Sequence, residues 1–418
     1  MKFAWMALRN LSRNRRRTAI SLAIVAAGAA ALILTAGFVR FSFDGLREAL
    51  IHGGLGHLEV VRAEAIAARG ASALDRPLAF GLEDWRALAG EVERRPHVVA
   101  TGPTLQIMGM VSSHGGEPVS FVGLGVEPER ERRMGFDVKL RSGTALADAA
   151  PEEGADAVLL AQGLARSLGV GAGDTVTLLA VDPDGMLNAL DARVAGIVTT
   201  GVADLDTRYL KTHLATAQRL LQTERTSDLL VVLDSTDASE AVAADLARQF
   251  DRREPQQPRL AVVGWRERAA FFDQVRNLYL GIFWFLGTIV FVLVVLATSN
   301  TLVMTVLERM RELGTLRAIG TGRAQLAALL LAEALWLGLL GGAIGAAAGW
   351  LLTWAINAAQ LKMPPPPGAV SPIDLQLAYV PAAFGGAIAL MGIVLAIAAI
   401  GPIVKATRLR IVEALGHV

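Results

Sequence analysis

Residues 278–307, LYLGIFWFLGTIVFVLVVLATSNTLVMTVL, run for thirty positions without a charged side chain. A hydrocarbon core about 30 Å thick is crossed by roughly 20 apolar residues in a helix, so this stretch reads as a membrane span. Three more stretches have the same character. Thr18 to Val39 and Leu375 to Val404 carry no charge, and Ala324 to Asn357 carries only Glu333. With 53% hydrophobic residues and a mean hydropathy of +0.44, the 418-residue chain falls in the membrane class. The first apolar run is too long for the core of a secretory leader and continues into an amphipathic stretch, Phe41 to Leu50, so it reads as a retained anchor. The expected architecture is an α-helical membrane protein with four transmembrane helices, at 18–40, 276–307, 324–357 and 375–401. An extracytoplasmic α+β domain of two lobes is inserted between the first and second.

Charge sets the expected orientation. The N-terminal segment, the connection between the second and third spans, and the tail together hold 13 basic residues against Glu308, Glu312 and Glu413. Basic residues near span ends stay on the cytoplasmic side, which places both termini and residues 308–323 there. The remainder has 27 basic and 36 acidic residues, so a near-neutral total conceals a polarised molecule. Residues 1–17 put Ala4, Trp5, Leu8 and Leu11 on one helical face and Arg9, Arg13 and Arg16 on another, the pattern of a helix lying in the interface; a plain basic tail is the alternative.

Residues 41–275 read as a water-exposed domain. Leu58–Arg62, Leu82–Glu93, Val98–Val111 and Val119–Val126 suggest β-α-β-β, and Leu229–Leu233, Ala238–Phe250 and Leu260–Val263 suggest β-α-β. The two blocks are expected to pair as lobe A, 55–136 plus 226–265. Between them, 137–225 is expected to form a small β-rich lobe B, with turns at Gly171–Asp174 and Asp182–Gly185. The loop 358–374 contains Pro364 to Pro367 and is expected to be a stiff spacer.

Several chemistries are excluded or unsupported. Cysteine is absent, which removes disulfides, thiolate metal sites and thiol nucleophiles. No lysine follows a glycine, so the chain has no phosphate-binding P-loop and is not itself a nucleotide hydrolase. Six scattered histidines show no metal-ligand spacing, and Gly-x-Ser-x-Gly is missing. No catalytic residue and no metal ligand is assigned. Nor is a nucleic-acid partner expected.

The run Glu308-Arg309-Met310-Arg311-Glu312-Leu313-Gly314-Thr315-Leu316-Arg317-Ala318-Ile319-Gly320 carries the most information. Met310, Leu313, Leu316 and Ile319 recur every third residue, with charges on the other faces, and Gly314 and Gly320 offer bends or stops. Physics alone leaves two readings: a stripe presented to a partner, or a helix lying on the membrane with its arginines toward lipid phosphates. The run resembles the cytoplasmic signature of the MacB, LolC/LolE and FtsX type of ABC transporter permease, the mechanotransmission (type VII) superfamily. Leu159–Asp174 (LLAQGLARSLGVGAGD) and Pro402–Leu415 (PIVKATRLRIVEAL) agree with it. Within the family, Val194–Leu221 is most similar to the lipoprotein-releasing LolC/LolE branch.

That resemblance implies a permease subunit with no catalysis of its own. ATP and magnesium would sit on a separate ATPase subunit, and a second permease copy or paralogue would complete the assembly. Glu308, Arg309, Arg311, Glu312, Leu313, Gly314, Leu316, Arg317 and Gly320 would form the ATPase-coupling segment, with Leu313, Leu316 and Ile319 as its apolar wedge. The cargo would be a lipoprotein or another amphiphile, passed outward with a periplasmic chaperone or adaptor. Two other uses of such a machine are an FtsX-like subunit that activates a periplasmic partner without moving cargo, and MacB-like efflux of hydrophobic small molecules.

Three further features belong to the spans. Glu333 is the only ionisable residue in the third; intramembrane charges are expensive and mark function, although Arg323 is close enough in sequence for a structural pairing. Gly341, Gly345 and Gly349 line one face of the same span, a helix-packing stripe expected to meet Gly385 and Gly386 of the fourth. Phe41, Phe43, Phe283 and Phe285 are candidate substrate contacts, with membrane-interface anchoring as the alternative.

Overall fold

A computed structural model describes residues 15–67, 81–136, 139–149, 156–201, 203–253, 258–363 and 373–408. The interfacial reading of the extreme N-terminus, the Pro364–Pro367 spacer and the end of the basic tail lie outside these residues. In chain order the elements are α1 (Arg15–Leu50), β1 (Leu58–Arg62), α2 (Ala63–Ala67), α3 (Trp85–Val92), β2 (Val98–Ser113), β3 (Val119–Val126), α4 (Pro128–Met134), β4 (Lys139–Gly143) and β5 (Asp156–Ala161). There follow α5 (Gln162–Leu168), β6 (Thr175–Val181), β7 (Leu187–Thr199), α6 (Ala203–Asp206), β8 (Tyr209–His213), α7 (Leu214–Leu220), β9 (Asp228–Leu233), α8 (Ser239–Phe250) and β10 (Leu260–Gly264). The chain then continues through α9 (Trp265–Arg268), α10 (Ala270–Glu308), α11 (Met310–Ala318), α12 (Arg323–Ala358) and α13 (Pro381–Arg408). Two compact units result, one of membrane helices and one formed by the insert.

Among the described residues four helices are long and apolar enough to cross a membrane: α1 with its continuation to Leu55, α10, α12 and α13. The fourth starts at Pro381, later than its charge-free run, because proline's fixed φ and missing N–H suit a first helical turn. Small residues dictate how these helices meet. A Cβ on Gly345 would lie 2.5 Å from the Ala26 carbonyl oxygen and 2.6 Å from the Ala29 Cβ, and one on Gly341 would lie 2.6 Å from a Val25 methyl. The stripe Gly341–Gly345–Gly349 therefore packs on the first span, with Val25, Ala29 and Ile33, and not on the fourth. Gly385 and Gly386, its expected partners, have no such neighbour within 4 Å. The fourth span instead meets Gly338 and Gly342, one position round the helix, through Ile388, Met391 and Gly392. Beyond the apolar core the Asn357 amide clamps both backbone groups of Leu377, at 2.7 and 3.0 Å.

The insert is built on one ten-stranded sheet in the order β10-β1-β9-β2-β3-β8-β5-β7-β4, with β6 paired to β2 and β7. Strands β1, β2, β3, β9 and β10 come from the first and last sequence blocks and β4–β8 from the middle one. The two groups join where β3 runs parallel to β8 and where β2 runs antiparallel to β6. One apolar core, including Leu58, Leu105, Phe121, Leu160, Leu178 and Leu229, continues across that seam. A buried ion pair also crosses it, Lys211 Nζ on β8 to Glu131 Oε1 on α4 at 2.8 Å. Where the chain enters and leaves the insert, Ile51, Trp265, Ala269 and Phe272 form a small core of their own. Beside it Arg268 Nε pairs at 3.0 Å with the fully buried Glu59.

Candidate coupling site

The helix α10 ends at Glu308 because Arg309 leaves the helical region, with φ −100° and ψ 16°. That bend starts α11, which stops at Gly320, whose φ of 102° is open to glycine at little cost. Arg309 sits at the corner and ties three elements together. Its Nε donates to Glu312 Oε2 at 3.1 Å, and one terminal nitrogen donates to both Glu333 oxygens at 3.1 and 3.3 Å. Glu333, on α12, is only 6% exposed and lies beside an apolar cleft lined by Val306, Leu330, Pro402 and Ile403. The intramembrane carboxylate is thus paired, and its partner is Arg309 rather than Arg323. Pairing with good geometry is what allows such a charge to stay in an apolar setting.

The apolar stripe of α11 divides between two environments. Leu313, 2% exposed, packs with Val306, Leu326, Leu330 and Ala406, and Leu316 packs against the same cluster. Met310 and Gly314 are buried too. These residues anchor α11 to its own membrane helices, which corrects the expectation that Leu313 and Leu316 form a wedge toward another chain. Ile319 is 76% exposed, and Glu308, Arg311, Thr315, Ala318 and Gly320 are exposed with it. Glu312 and Arg317 are half-buried. Of the four aromatic candidates, Phe43 meets Tyr279 edge-on at 6.3 Å and Phe283 meets Phe38 edge-on at 6.2 Å. Tyr279 lies 6.4 Å from Phe283 as well, so Phe43 and Phe283 share a neighbour, while Phe41 is half-buried and Phe285 largely exposed.

One polar cluster escaped the sequence reading. A cavity of about 340 Å³ in the insert is lined by Arg47, Glu48, His52, His57, Asp234, Thr236 and neighbours. The Leu233 N–H donates to His57 Nδ1 at 3.2 Å, His57 Nε2 lies 3.1 Å from Thr236 Oγ1, and that hydroxyl donates to Glu48 Oε1 at 3.2 Å. With Nδ1 accepting, the proton is assigned to Nε2 and the ring is neutral. Burial pushes the imidazole below its usual range, with Arg47 and His52 adding to the effect against Glu48 and Asp234. Burial likewise lowers His213, against Asp156 and a backbone hydrogen bond to Leu146. Both rings are held neutral by folding, so their contribution is complete above the unfolded value near 6.5 and is lost as pH falls through it toward the folded values. The melting temperature of the purified chain in detergent is therefore expected to drop between pH 7.5 and 5.5, before carboxylates titrate. A flat profile over that interval would contradict the neutral-ring assignment.

Known proteins share both parts of this arrangement. Residues 18–249 match the family model of the MacB-like periplasmic core domain, and residues 284–411 match that of the FtsX-like permease C-terminal region. The chain belongs to the MacB- and FtsX-type ABC transporter permeases. The second match includes the Arg309 corner, α11 and Glu333. Among curated relatives of this permease, the lipoprotein-releasing system transmembrane protein LolC of Neisseria meningitidis is 24% identical over 371 residues, covering 85% of this chain and 82% of LolC. An uncharacterised ABC transporter permease of Methanocaldococcus jannaschii is 40% identical over 65 residues, 16% of each chain. The crystal structure of the periplasmic region of MacB from Actinobacillus actinomycetemcomitans aligns with a TM-score of 0.36 and 13% identity, over 53% of the permease and 95% of that region.

Proposed function

We propose that this permease converts ATP hydrolysis on a separate ATPase subunit into movement of its extracytoplasmic insert, releasing a lipoprotein or similar amphiphile from the outer leaflet of a bacterial inner membrane. The observation that carries the reading is the Arg309 corner. It ties α11, which presents Arg311, Thr315 and Ile319 outward, to the end of α10 and to Glu333 inside α12. A push on the exposed face of α11 would load two membrane helices at once, and α10 continues without a break toward the insert. ATP and magnesium belong to the ATPase chain, and the present chain binds, positions and transmits. Both termini and α11 are cytoplasmic in this reading, following the basic residues around them. Release of a lipoprotein is favoured over signalling or small-molecule efflux by the similarity to LolC along 85% of the chain.

Affinity purification of the tagged permease in mild detergent tests the coupling role. The double variant Arg311→Glu/Ile319→Asp alters only exposed positions, whereas substitutions at Leu313 would damage the chain's own core. A P-loop ATPase is expected to co-purify with the native chain and to fall at least about tenfold with the variant, the consequence of burying unpaired like charges in an interface. Full retention of the ATPase by the variant, or no ATPase with the native chain, overturns the assignment of α11.

A further inference from the structure

The hydrogen bonds around His57 run in one direction through three segments of the insert. The antiparallel ladder between β1 and β9 closes at Leu58 and Val231, where the His57 N–H donates to the Val231 carbonyl at 2.9 Å. At Gly56, with φ 67°, the chain turns out of the sheet, so β1 offers no carbonyl to the next β9 amide on that side, Leu233. The His57 ring takes its place. Leu233 N–H donates to Nδ1, Nε2–H donates to the Thr236 hydroxyl, and that hydroxyl donates to Glu48 in the last turn of α1. One imidazole therefore ties β9 and the turn after it to α1.

The chain of bonds depends on a bare Nδ1. An imidazolium carries N–H on both nitrogens, and Nδ1–H would face Leu233 N–H across 3.2 Å, donor against donor. Leu233 is 4% exposed, so its amide has no bulk water to turn to where it stands. Relief is available on one side. The cavity of about 340 Å³ borders both His57 and Leu233, and it sets the carboxylates of Glu48, Asp234 and Asp237 against Arg47. His52 stands edge-on to His57 at 6.2 Å, and His97 holds Asp234 at 3.1 Å. On β1 the neighbouring charge is Glu59, which Arg268 engages at 3.0 Å. We infer that His57 is an acid-sensitive latch: a proton on Nδ1 breaks the bond from Leu233, the ring swings into the cavity toward Asp234 and Asp237, and the turn 233–237 comes away from Glu48. This control is separate from the ATP-driven reading and holds or fails without it. Burial keeps the latched ring below its usual range, and a ring freed into the cavity returns toward about 6.5. The latched form thus binds fewer protons than the open one. Its opening constant is level well above about pH 6.5 and rises, by at most about tenfold per unit, as pH falls from there toward the latched value.

Hydrogen exchange of the full chain in detergent, read by mass spectrometry, tests the latch. After correction for the intrinsic rate, protection of the amides at 231–236 is expected to be level from about pH 8 to 7. Between about pH 6.5 and 5.0 it is expected to fall about 3- to 10-fold per unit. Exchange there is expected to be indifferent to about 1 M urea, since a turn that swings aside exposes little surface, whereas exchange in β6 quickens with urea as global unfolding does. His57→Asn leaves a carbonyl oxygen to accept from Leu233 and takes up no proton in this range, so its profile is expected to be flat. His52→Gln, His97→Gln and His213→Gln are each expected to leave the acid slope in place. Those three variants assign the slope by elimination even where His57→Asn does not accumulate. A flat native profile, a slope that persists in His57→Asn, a slope lost in any of the three other variants, or a response to urea like that of β6 each overturns the latch.

Discussion

Gly345→Leu is expected to abolish accumulation of the folded chain in the membrane. Even the first atom of a new side chain would sit 2.5 Å from the Ala26 carbonyl oxygen and 2.9 Å from the Ala26 Cα. Both belong to the backbone of the first span, so no rotamer change relieves the overlap and the two helices must separate. Forcing extra methylenes into a well-packed contact costs about 1–3 kcal/mol, and a leucine here adds four carbons against backbone, which puts it at or beyond the upper end. Separation would also strip contacts from the core that Val25, Ala29 and Ile33 share with Ala346 and Met391. Gly385→Ala is the matched control, since a Cβ there meets nothing within 4 Å. Membrane-fraction yield and melting temperature in detergent report both. Wild-type values for Gly345→Leu would mean that the first and third spans do not approach as closely as described.

In the proposed coupling, Arg309→Ala is expected to leave the protein in the membrane with the proposed ATPase subunit bound, and to lower the ATP hydrolysis of the purified complex at least tenfold. The substitution takes the Arg309 guanidinium away from the Glu333 carboxylate, 6% exposed, beside Leu330 and Ile403. Removing one partner of a buried pair costs about 3–5 kcal/mol. The tie between the corner and α12 is then gone. Glu333→Gln keeps the shape and one hydrogen bond to Arg309, so an intermediate loss is expected. The exchange Arg309→Glu/Glu333→Arg restores opposite charges and is expected to recover part of the activity. Equal activity in Arg309→Ala, Glu333→Gln and the native complex would show that the pair is only structural.

The four spans were legible because they depend on composition and length. Elements such as β9, α8 and β10 were legible because periodicity and turn residues are local properties. Neighbours were not. The spacing of Gly341, Gly345 and Gly349 announces a close helix contact, but any helix with a small-residue face can supply the other side. Ala26, Ala29 and Ala30 offered one in the first span as plainly as Gly385 and Gly386 did in the fourth. Leu313 and Leu316 illustrate the same limit: an amphipathic period shows that a face is covered, not by what. Glu333 announced itself through its energetic cost, while its partner Arg309 lay 24 positions away and within a motif read as facing outward. The His57 cluster left no trace in sequence. Glu48, His57 and Thr236 are ordinary polar residues until the sheet folds β9 against the end of α1.

The strand order also constrains how the protein is made. Strand β1 follows directly on the first span, yet both its partners are late arrivals: Leu58 pairs with Val231 and with Gly264. At about 5–20 residues per second of synthesis, roughly 200 residues take some 10–40 s to follow it. During that interval Val60 and Val61 have no sheet to cover them, although the first span has already been synthesised. The insert cannot complete its fold as it emerges from the N-terminal side, and must wait for the segment that leads into the second span. Export of this chain therefore exposes an aggregation-prone strand for most of its translocation, and truncations anywhere before β10 should be cleared by membrane proteases rather than persist as stable fragments.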